Sequence, residues 1–374
     1  MWRFPSSLPS SPCCSSPAMA SPSPRPGRTA PPSKRDAACA DCGSPWLASP
    51  EAADCNATRP VVRCRVILPL SSRGTRMGRL DEKVAVITGA TSGIGEATVD
   101  AFCAEGAHVV FCGRNAELGK QVEGRQPEGS ALFVRADVLH EGEIKRVIDT
   151  ALEKWGRLDV LFNNAGGPSS PPGRPHAFNI EDVDEETFKY SQWYLLGSAM
   201  VATKHASPIM RRQRSGSIIN NSSKGAHQAE VAADPLYSAA KAGLSNYTKA
   251  AAMQLGPMGI RVNAVSPGAI ATPIFWGGHT HGQQITAAHK QNRLARFVRN
   301  VSGGMLPLKG PGGEAWDIAM ACVYLGSDES RWVTGIDLVV DGGMLAVKGD
   351  HVGTSERMRE MWQARDAAPG AETD

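Results

Sequence analysis

The chain alternates short apolar runs with helical stretches from residue 83 onward. Seven runs have the length and composition of strands, at residues 84–87, 108–112, 131–134, 159–162, 217–220, 261–265 and 337–340. Runs of this kind separated by helices predict a parallel sheet with crossover helices. The expected fold class is therefore α/β, with one doubly wound parallel sheet of about seven strands and helices on both of its faces.

The helices are predicted from apolar spacing and from stop signals such as Gly106. They are expected at residues 96–105, 143–155 and 185–212, and in the segment that carries Tyr237. Residues 273–313 are rich in Gly, His and Gln and have no strand periodicity. We predict that they form a lid of helices and loop.

Composition separates residues 1–79 from the rest of the chain. This segment holds 13 Pro and 13 Ser, and its net charge is +7, against +3 for the whole chain. The remainder therefore carries −4, with both signs mixed, which gives no support for nucleic-acid binding. We predict a disordered leader over residues 1–79, one folded domain over 80–346 and a tail over 347–374.

The leader has three open interpretations. Residues 1–35 lack acids and contain Arg and Ser, as organelle transit peptides do, although the prolines interrupt any amphipathic helix. A disordered tail is the second interpretation. Translation from Met77, just before the first strand, is the third, and an intact mass that includes the full leader would exclude it. No apolar run approaches the ~18 residues of a membrane span, so no membrane partner is expected.

Cysteine usage indicates a reducing compartment. The predicted domain contains only Cys103, Cys112 and Cys322, all inside apolar elements, where buried free thiols are expected. We therefore expect a cytoplasmic protein, with organelle targeting by the leader left open. In the leader, Cys39 and Cys42 have zinc-ligand spacing but no second pair follows, so no metal is expected.

A glycine-rich turn directly follows the first strand. Thr88-Gly89 ends the strand, and Gly93 and Gly95 enter the next helix. Glycine is needed where the backbone turns tightly and where a pyrophosphate must approach without a Cβ in the way. The helix N-terminus also offers N–H groups to phosphates. The pattern predicts a dinucleotide site; a plain strand-to-helix turn is the alternative.

The end of the second strand indicates which dinucleotide is bound. A carboxylate about 20 residues after the glycines would bind the ribose 2′-OH of NAD, whereas an Arg accommodates the 2′-phosphate of NADP. Here Cys112 and Gly113 are followed by Arg114, with no acid. NADP is therefore favoured over NAD, unless Arg114 is simply a surface residue. Asp137 and Val138, just past the third strand, suit the adenine end of a cofactor.

Tyr237 and Lys241 share one face of a predicted helix because they are four residues apart. Ser223 precedes them, after the strand at residues 217–220. Together with the upstream turn, this order places a phenol that could move a proton after a dinucleotide site. An ordinary Tyr and Lys on a helix are the alternative.

These segments together resemble the short-chain dehydrogenase/reductase family. The matching pieces, in the family's order, are Thr88-Gly89-x-x-x-Gly93-Ile94-Gly95, Asp137-Val138, Asn163-Asn164-Ala165-Gly166, Ser223, Tyr237-x-x-x-Lys241, Pro267-Gly268 and Asp341-Gly342-Gly343. The resemblance covers about residues 80–346 and implies a Rossmann-type fold. It also implies an NAD(P)-dependent oxidoreductase that interconverts a secondary alcohol and a ketone. An epimerase or dehydratase, or a cofactor-binding protein without turnover, is the alternative.

The resemblance assigns catalytic roles to three residues. It implies Tyr237 as the acid/base at the substrate oxygen and Ser223 as a hydrogen-bond donor to that oxygen. It implies Lys241 as the cation that lowers the pKa of the phenol and holds the nicotinamide ribose. Ser222 is the competing choice of serine; strand register after Asn220 favours Ser223.

The resemblance also implies a larger set of cofactor-binding residues, some beside the adenine ribose and others at the nicotinamide end. The expected set is Gly89, Ser92, Gly93, Ile94, Gly95, Arg114, Asp137, Val138, Asn164, Ala165, Gly166, Tyr237, Lys241, Pro267, Gly268, Ile270 and Thr272. The expected partner is a small-molecule alcohol or ketone, in a pocket to which Phe275, Trp276 and His279 are candidates to contribute. The family also implies a homotetramer or homodimer.

One position departs from the family's pattern. The family usually carries an Asn in the long helix before the serine strand, where it helps to hold a water that relays protons to the lysine. Here Leu195 occupies that place, with Tyr194 beside it, and no Asn occurs between Asn179 and Asn220. Three explanations stay open: backbone groups hold the water, the lysine takes its proton from elsewhere, or catalysis is impaired.

Overall fold

The computed structural model describes residues 77–174, 180–228, 234–273, 308 and 313–346. The expected leader before residue 77, almost all of the expected lid and the expected tail lie outside these residues. The pocket candidates Phe275, Trp276 and His279 also lie outside them.

Nine strands are present in the described part of the chain. They are β1 (Val84–Ile87), β2 (His108–Gly113), β3 (Ala131–Arg135), β4 (Val160–Asn163), β5 (Gly216–Asn221), β6 (Ile260–Pro267), β7 (Ile270–Ala271), β8 (Gly313–Glu314) and β9 (Asp337–Val340). Seven of them form one parallel sheet in the order β3-β2-β1-β4-β5-β6-β9. The predicted seven-stranded parallel sheet is confirmed. The short pair β7 and β8, which the sequence did not predict, forms a separate sheet.

Helices cover both faces of the large sheet, as expected. They are α1 (Gly93–Ala104), α2 (Ala116–Gly124), α3 (Glu141–Trp155), α4 (Glu185–Gln192), α5 (Ser198–Gln213), α6 (Pro235–Leu255) and α7 (Ala315–Gly326). Side chains of α1 and α7 share one core with the sheet, and those of α3, α5 and α6 share the other. None of the helices in the described residues is long and apolar enough to cross a membrane.

Burial on both faces explains why the strands read as continuous apolar runs. In β1, Ala85 and Ile87 belong to the core under α1 and α7, whereas Val84 and Val86 belong to the opposite core. The strand order reverses between β1 and β4. In open α/β sheets the carboxyl ends of the strands at such a reversal form the ligand cleft.

The helix predicted over residues 185–212 is interrupted. A single π-helical turn, Trp193–Gly197, joins α4 to α5. Such turns often occur at functional sites. This one buries Leu195 and places Tyr194 at the wall of a cavity.

Candidate active site

A cavity of about 690 Å³ lies along the carboxyl ends of β1 to β6. It runs from Arg114 and Asp137 at one end to Ser223, Tyr237 and Lys241 at the other. All the residues expected to bind the cofactor line this cavity except one, Gly95. The structure therefore brings the separate sequence motifs together at the reversal of the sheet.

The glycine turn is packed tightly against the end of β4. Gly89 has φ +65°, and a Cβ there would lie 2.6 Å from the Cα of Ala165. A Cβ on Gly95 would lie 2.5 Å from both the Nδ2 atom of Asn164 and the carbonyl oxygen of Gly89. Gly95 thus lies beneath the turn and supports it. The turn therefore requires glycine because a Cβ would collide with neighbouring protein atoms, in addition to any contact with a ligand.

The first turn of α1 forms part of the cavity wall. Ser92, Gly93 and Ile94 line the cavity, and the Ser92 side chain does not cap the helix. Backbone N–H groups at a helix N-terminus, together with the helix dipole, favour a bound anion. The arrangement fits the pyrophosphate of a dinucleotide.

Asn164 holds the glycine turn in place. Its Nδ2 atom donates to the carbonyl oxygens of Thr88 (3.0 Å) and Gly89 (2.8 Å), and its Oδ1 atom accepts from the Nδ2 atom of Asn221 (2.9 Å). The backbone N–H groups of Asn164 and Ala165 donate to the Thr88 hydroxyl. Asn164 therefore ties the ends of β1, β4 and β5 to one another beside the cavity.

The end of the cavity near β2 and β3 combines a cation with an aromatic side chain. Arg114 is exposed and Asp137 and Val138 lie beside it in the wall. Tyr194 also lines the cavity, and burial raises the pKa of its hydroxyl to about 12. The hydroxyl of Tyr194 is therefore a neutral hydrogen-bonding group at physiological pH.

The two candidate serines have different surroundings. The buried Ser222 hydroxyl bonds the backbone carbonyl of Lys241 (3.1 Å) and the hydroxyl of Ser245 (2.7 Å). The Ser223 hydroxyl lies in hydrogen-bonding reach of Tyr237 and accepts from the N–H of Gly225 (3.1 Å). This geometry supports the sequence-based choice of Ser223 for the catalytic role.

Lys241 lies one turn beyond Tyr237 on α6. Its Nζ atom is 5.7 Å from the centre of the Tyr237 ring and donates to the backbone carbonyl of Asn221 (2.6 Å). The side chain is buried, which lowers the pKa of the ammonium to about 8. The ammonium therefore keeps its proton near neutrality but releases it more easily than an exposed lysine does.

The pKa of Tyr237 differs from the sequence expectation. Lys241 was expected to lower it, but in the protein alone burial raises it, and the hydrogen bond from Ser223 opposes this only in part. Desolvation dominates because the phenol is enclosed, and a charged phenolate is poorly solvated there. The resting hydroxyl of Tyr237 is therefore protonated.

The position that departs from the family's pattern lies close to the lysine. The Leu195 Cδ2 atom and the Lys241 Nζ atom are 3.7 and 3.5 Å from the point where a Cβ of Gly166 would lie. Leu195 is 1% exposed. An apolar side chain thus lies where the family places an amide, and among the described residues the lysine ammonium donates to a backbone carbonyl, that of Asn221.

Asp234 was not expected from the sequence, whereas Ser169 belongs to the Pro-rich loop at residues 167–173 that was expected to border the substrate. Both line the cavity, and the Ser169 hydroxyl donates to the Asp234 carboxylate. The other Asp234 oxygen accepts from the N–H groups of Leu236 (2.9 Å) and Tyr237 (3.2 Å), which caps α6. An Asp followed by Pro235 is a helix-start signal that could have identified the cap. The contact with Ser169 joins distant segments and left no sequence signal.

Comparisons with known proteins agree with this architecture. The family profile described as Enoyl-(Acyl carrier protein) reductase matches residues 89–345. Momilactone A synthase of Oryza sativa subsp. japonica is 37% identical over 270 residues, which cover 72% of this chain and 92% of that protein. The mitochondrial borneol dehydrogenase of Lavandula x intermedia is 36% identical over 271 residues, which cover 72% of this chain and 93% of that protein.

A solved structure shows the same arrangement. The crystal structure of levodione reductase matches with a TM-score of 0.61 and 28% identity, covering 73% of this chain and all of that one. The family match spans more than half of the chain, and the relatives are named as dehydrogenases, reductases and a synthase. The chain therefore belongs to the short-chain dehydrogenase/reductase family and is an NAD(P)-dependent oxidoreductase.

Proposed function

We propose that Tyr237 is the acid/base of this oxidoreductase in the interconversion of a secondary alcohol and a ketone. Ser223 donates to the substrate oxygen and Lys241 is the cation beside the tyrosine. One observation carries the proposal: Tyr237 and Ser223 lie within hydrogen-bonding reach of each other and line the same cavity as the glycine turn. A proton donor and a dinucleotide site thus share one enclosed space.

A bound nicotinamide cofactor accepts or supplies the hydride. In ketone reduction the Tyr237 hydroxyl gives its proton to the substrate oxygen, and in alcohol oxidation the tyrosinate removes one. Because burial raises the pKa of Tyr237, the protonated form is ready for reduction. The Lys241 ammonium, 5.7 Å from the ring centre, stabilises the tyrosinate that remains. The Ser223 hydroxyl polarises the substrate oxygen.

The glycine turn, which Asn164 holds in place, would bind the cofactor's pyrophosphate. Pro267, Gly268, Ile270 and Thr272 would bind its nicotinamide end. NADP(H) is the preferred cofactor, because β2 is followed by Arg114 and not by an acidic residue. A Kd for NAD+ equal to or below that for NADP+ would contradict this preference. Borneol, a cyclic secondary alcohol named in one of the relatives, is the first substrate to test.

The chemistry is tested by replacing Tyr237 with Phe. The purified protein is assayed at 340 nm with NADP+ and a panel of secondary alcohols that begins with borneol, and with NADPH and the matching ketones. Tyr237→Phe should lower kcat by about 10²–10⁴-fold, the usual contribution of general acid–base catalysis. The Kd for NADP+ and the melting temperature should change little.

Tyr247→Phe is the matched control, since Tyr247 lies on the same helix and packs against the core. It should keep wild-type kcat. Full activity in Tyr237→Phe would refute the role given to Tyr237. Tight NADP+ binding without turnover of any substrate in the panel would instead favour a cofactor-binding protein.

A further inference from the structure

Asn221 connects the support of the glycine turn with Lys241. It is the last residue of β5 and lines the cavity. Its Nδ2 atom donates to the Oδ1 atom of Asn164 (2.9 Å), and its backbone carbonyl accepts from the Nζ atom of Lys241 (2.6 Å). Asn164 in turn donates to the carbonyls of the glycine turn. One residue therefore contacts both the amide that holds the turn and the lysine beside Tyr237.

The direction of these hydrogen bonds is fixed by the glycine turn. The carbonyl oxygens of Thr88 and Gly89 can only accept, so the Asn164 amide must present its Nδ2 atom to them. Its Oδ1 atom then faces Asn221, which must donate. A side chain without a hydrogen-bond donor at position 221 would leave the Asn164 oxygen without this partner.

The neighbouring Asn220 has a separate set of contacts, because consecutive residues of a strand point to opposite faces of the sheet. Its side chain accepts from the Nδ2 atom of Asn163 (2.8 Å) and donates to the Thr248 hydroxyl (2.9 Å), and none of these three residues lines the cavity. The Oδ1 atom of Asn221 is buried and has no hydrogen-bond partner within the described residues. The bond to Asn164 is therefore the hydrogen bond that a substitution of the Asn221 side chain removes.

We propose that Asn221 is a positioning residue that holds the glycine turn and Lys241 in fixed places relative to each other. Its side chain acts on the turn through Asn164, and its backbone carbonyl sets the position of the Lys241 ammonium. A nucleotide that binds to the turn thereby also restrains the lysine, before the nicotinamide half of the cofactor contacts it. The proposal rests on the cofactor site of the proposed function and adds a connection between the two ends of the cavity.

Isothermal titration calorimetry of the full chain tests the part played by the Asn221 side chain in nucleotide binding. Kd values for NADP+ and ADP are compared in wild type, Asn221→Ala and Asn221→Asp. Asn221→Asp keeps the shape of the side chain but places an acceptor against the Asn164 oxygen, so it serves as a second variant if Asn221→Ala folds poorly. Each variant should weaken both nucleotides by about two- to tenfold, the net effect of one hydrogen bond.

Asn263→Ala is the matched control. The buried amide of Asn263 on β6 donates to the carbonyl of Val333 (2.9 Å) and accepts from the N–H of Ile336 (3.2 Å), and it does not line the cavity. Asn263→Ala should lower the melting temperature and leave both Kd values within about twofold of wild type. In an Asn164→Ala background, Asn221→Ala should cause no further weakening, because Asn221 acts on the turn through Asn164.

The connection to Lys241 is tested with ADP, which carries the pyrophosphate but lacks the nicotinamide ribose. The chain is labelled with ¹³C at the Cε atoms of lysine, and the Lys241 resonance is assigned by its loss in Lys241→Met. Saturating ADP should shift this resonance in wild type. In Asn221→Ala, at an ADP concentration that again saturates the site, the shift should be lost.

Unchanged Kd values in both Asn221 variants, or an equal weakening in Asn263→Ala, would overturn the proposal. So would additive effects of Asn164→Ala and Asn221→Ala. A Lys241 resonance that does not respond to ADP in wild type, or that moves equally in Asn221→Ala, would show that the turn and the lysine are independent. A wild type that binds NADP+ and loses turnover in Tyr237→Phe, but shows no response at Lys241, would leave the proposed function standing and overturn this inference alone.

Discussion

Asp234 offers a sharp test of how the catalytic helix is held. One oxygen caps α6 at the N–H groups of Leu236 and Tyr237, and the other accepts from Ser169, which is 1% exposed. Asp234→Ala removes the cap, at a cost of about 1 kcal/mol. It also leaves a buried hydroxyl without its acceptor, at a cost of about 1–3 kcal/mol. We expect a loss of about 2–4 kcal/mol in the free energy of unfolding.

The assay is urea denaturation followed by circular dichroism, with the melting temperature as a second measure. A loss of this size should lower the melting temperature by about 4 °C or more. The matched control is Asp184→Ala. Asp184 caps α4 through the N–H of Thr187 (2.7 Å), but its second contact is the exposed Arg174. Asp184→Ala should lose clearly less free energy of unfolding than Asp234→Ala, because it leaves no buried group unpaired and exposed ion pairs contribute little.

A double-mutant cycle separates the two contributions. Ser169→Ala removes the buried hydroxyl, so Asp234→Ala made in that background should cost about 1 kcal/mol, the value of the cap alone. If Asp234→Ala and Asp184→Ala lose the same free energy, the buried contact with Ser169 is energetically unimportant and the reasoning fails.

Two further predictions concern Lys241 and Gly95. Because the native pKa of Lys241 is about 8 and its ordinary value is 10.5, the unfolded state binds more protons between these values, and native stability should rise with pH across that window. Between pH 8 and 10.5 the free energy of unfolding of the wild type, measured by urea denaturation, should increase by up to roughly 3 kcal/mol relative to that of Lys241→Met. If the free energies of the two proteins change with pH in parallel, burial does not lower the pKa of Lys241. Gly95→Ala should force Asn164 away from the glycine turn and lower stability by about 1–3 kcal/mol. Gly124→Ala is the control, because a Cβ at Gly124 would meet nothing within 4 Å, and it should leave the melting temperature unchanged or raise it. If both variants lose the same stability, the contacts around Gly95 do not matter.

The sheet could be predicted from the sequence because its signal is local. Each buried strand is a run of apolar residues, and β1 and β4 are buried along their whole length. The pairing of β7 with β8 could not be predicted, since each contributes only two residues and they lie 43 positions apart. The interruption of the predicted long helix left only a weak signal, because the single glycine of the segment, Gly197, disfavours a helix by about 1 kcal/mol but does not specify a π turn.

Much of the candidate site could be predicted because its motifs follow the ends of strands. Arg114 was expected from its place after the second strand and Asn164 from the family resemblance, and both line the cavity. Asp234 was not expected because its importance comes from a contact across the fold, the hydrogen bond from the Ser169 hydroxyl. The direction of the Tyr237 pKa shift depends on enclosure of the ring, which a spacing of four residues does not reveal.

The π-helical turn Trp193–Gly197 fixes the length of the chain at this place. A π turn contains one residue more than the α-helical turn that would span the same rise. Deleting one residue of the turn would restore a regular α-helix and keep α4 and α5 in their present orientation, because the turn already absorbs the extra residue. The side chains within the turn would move instead, so Tyr194 would change its position in the cavity wall and Leu195 its burial. A deletion of a single codon here would therefore alter the cavity while sparing the fold.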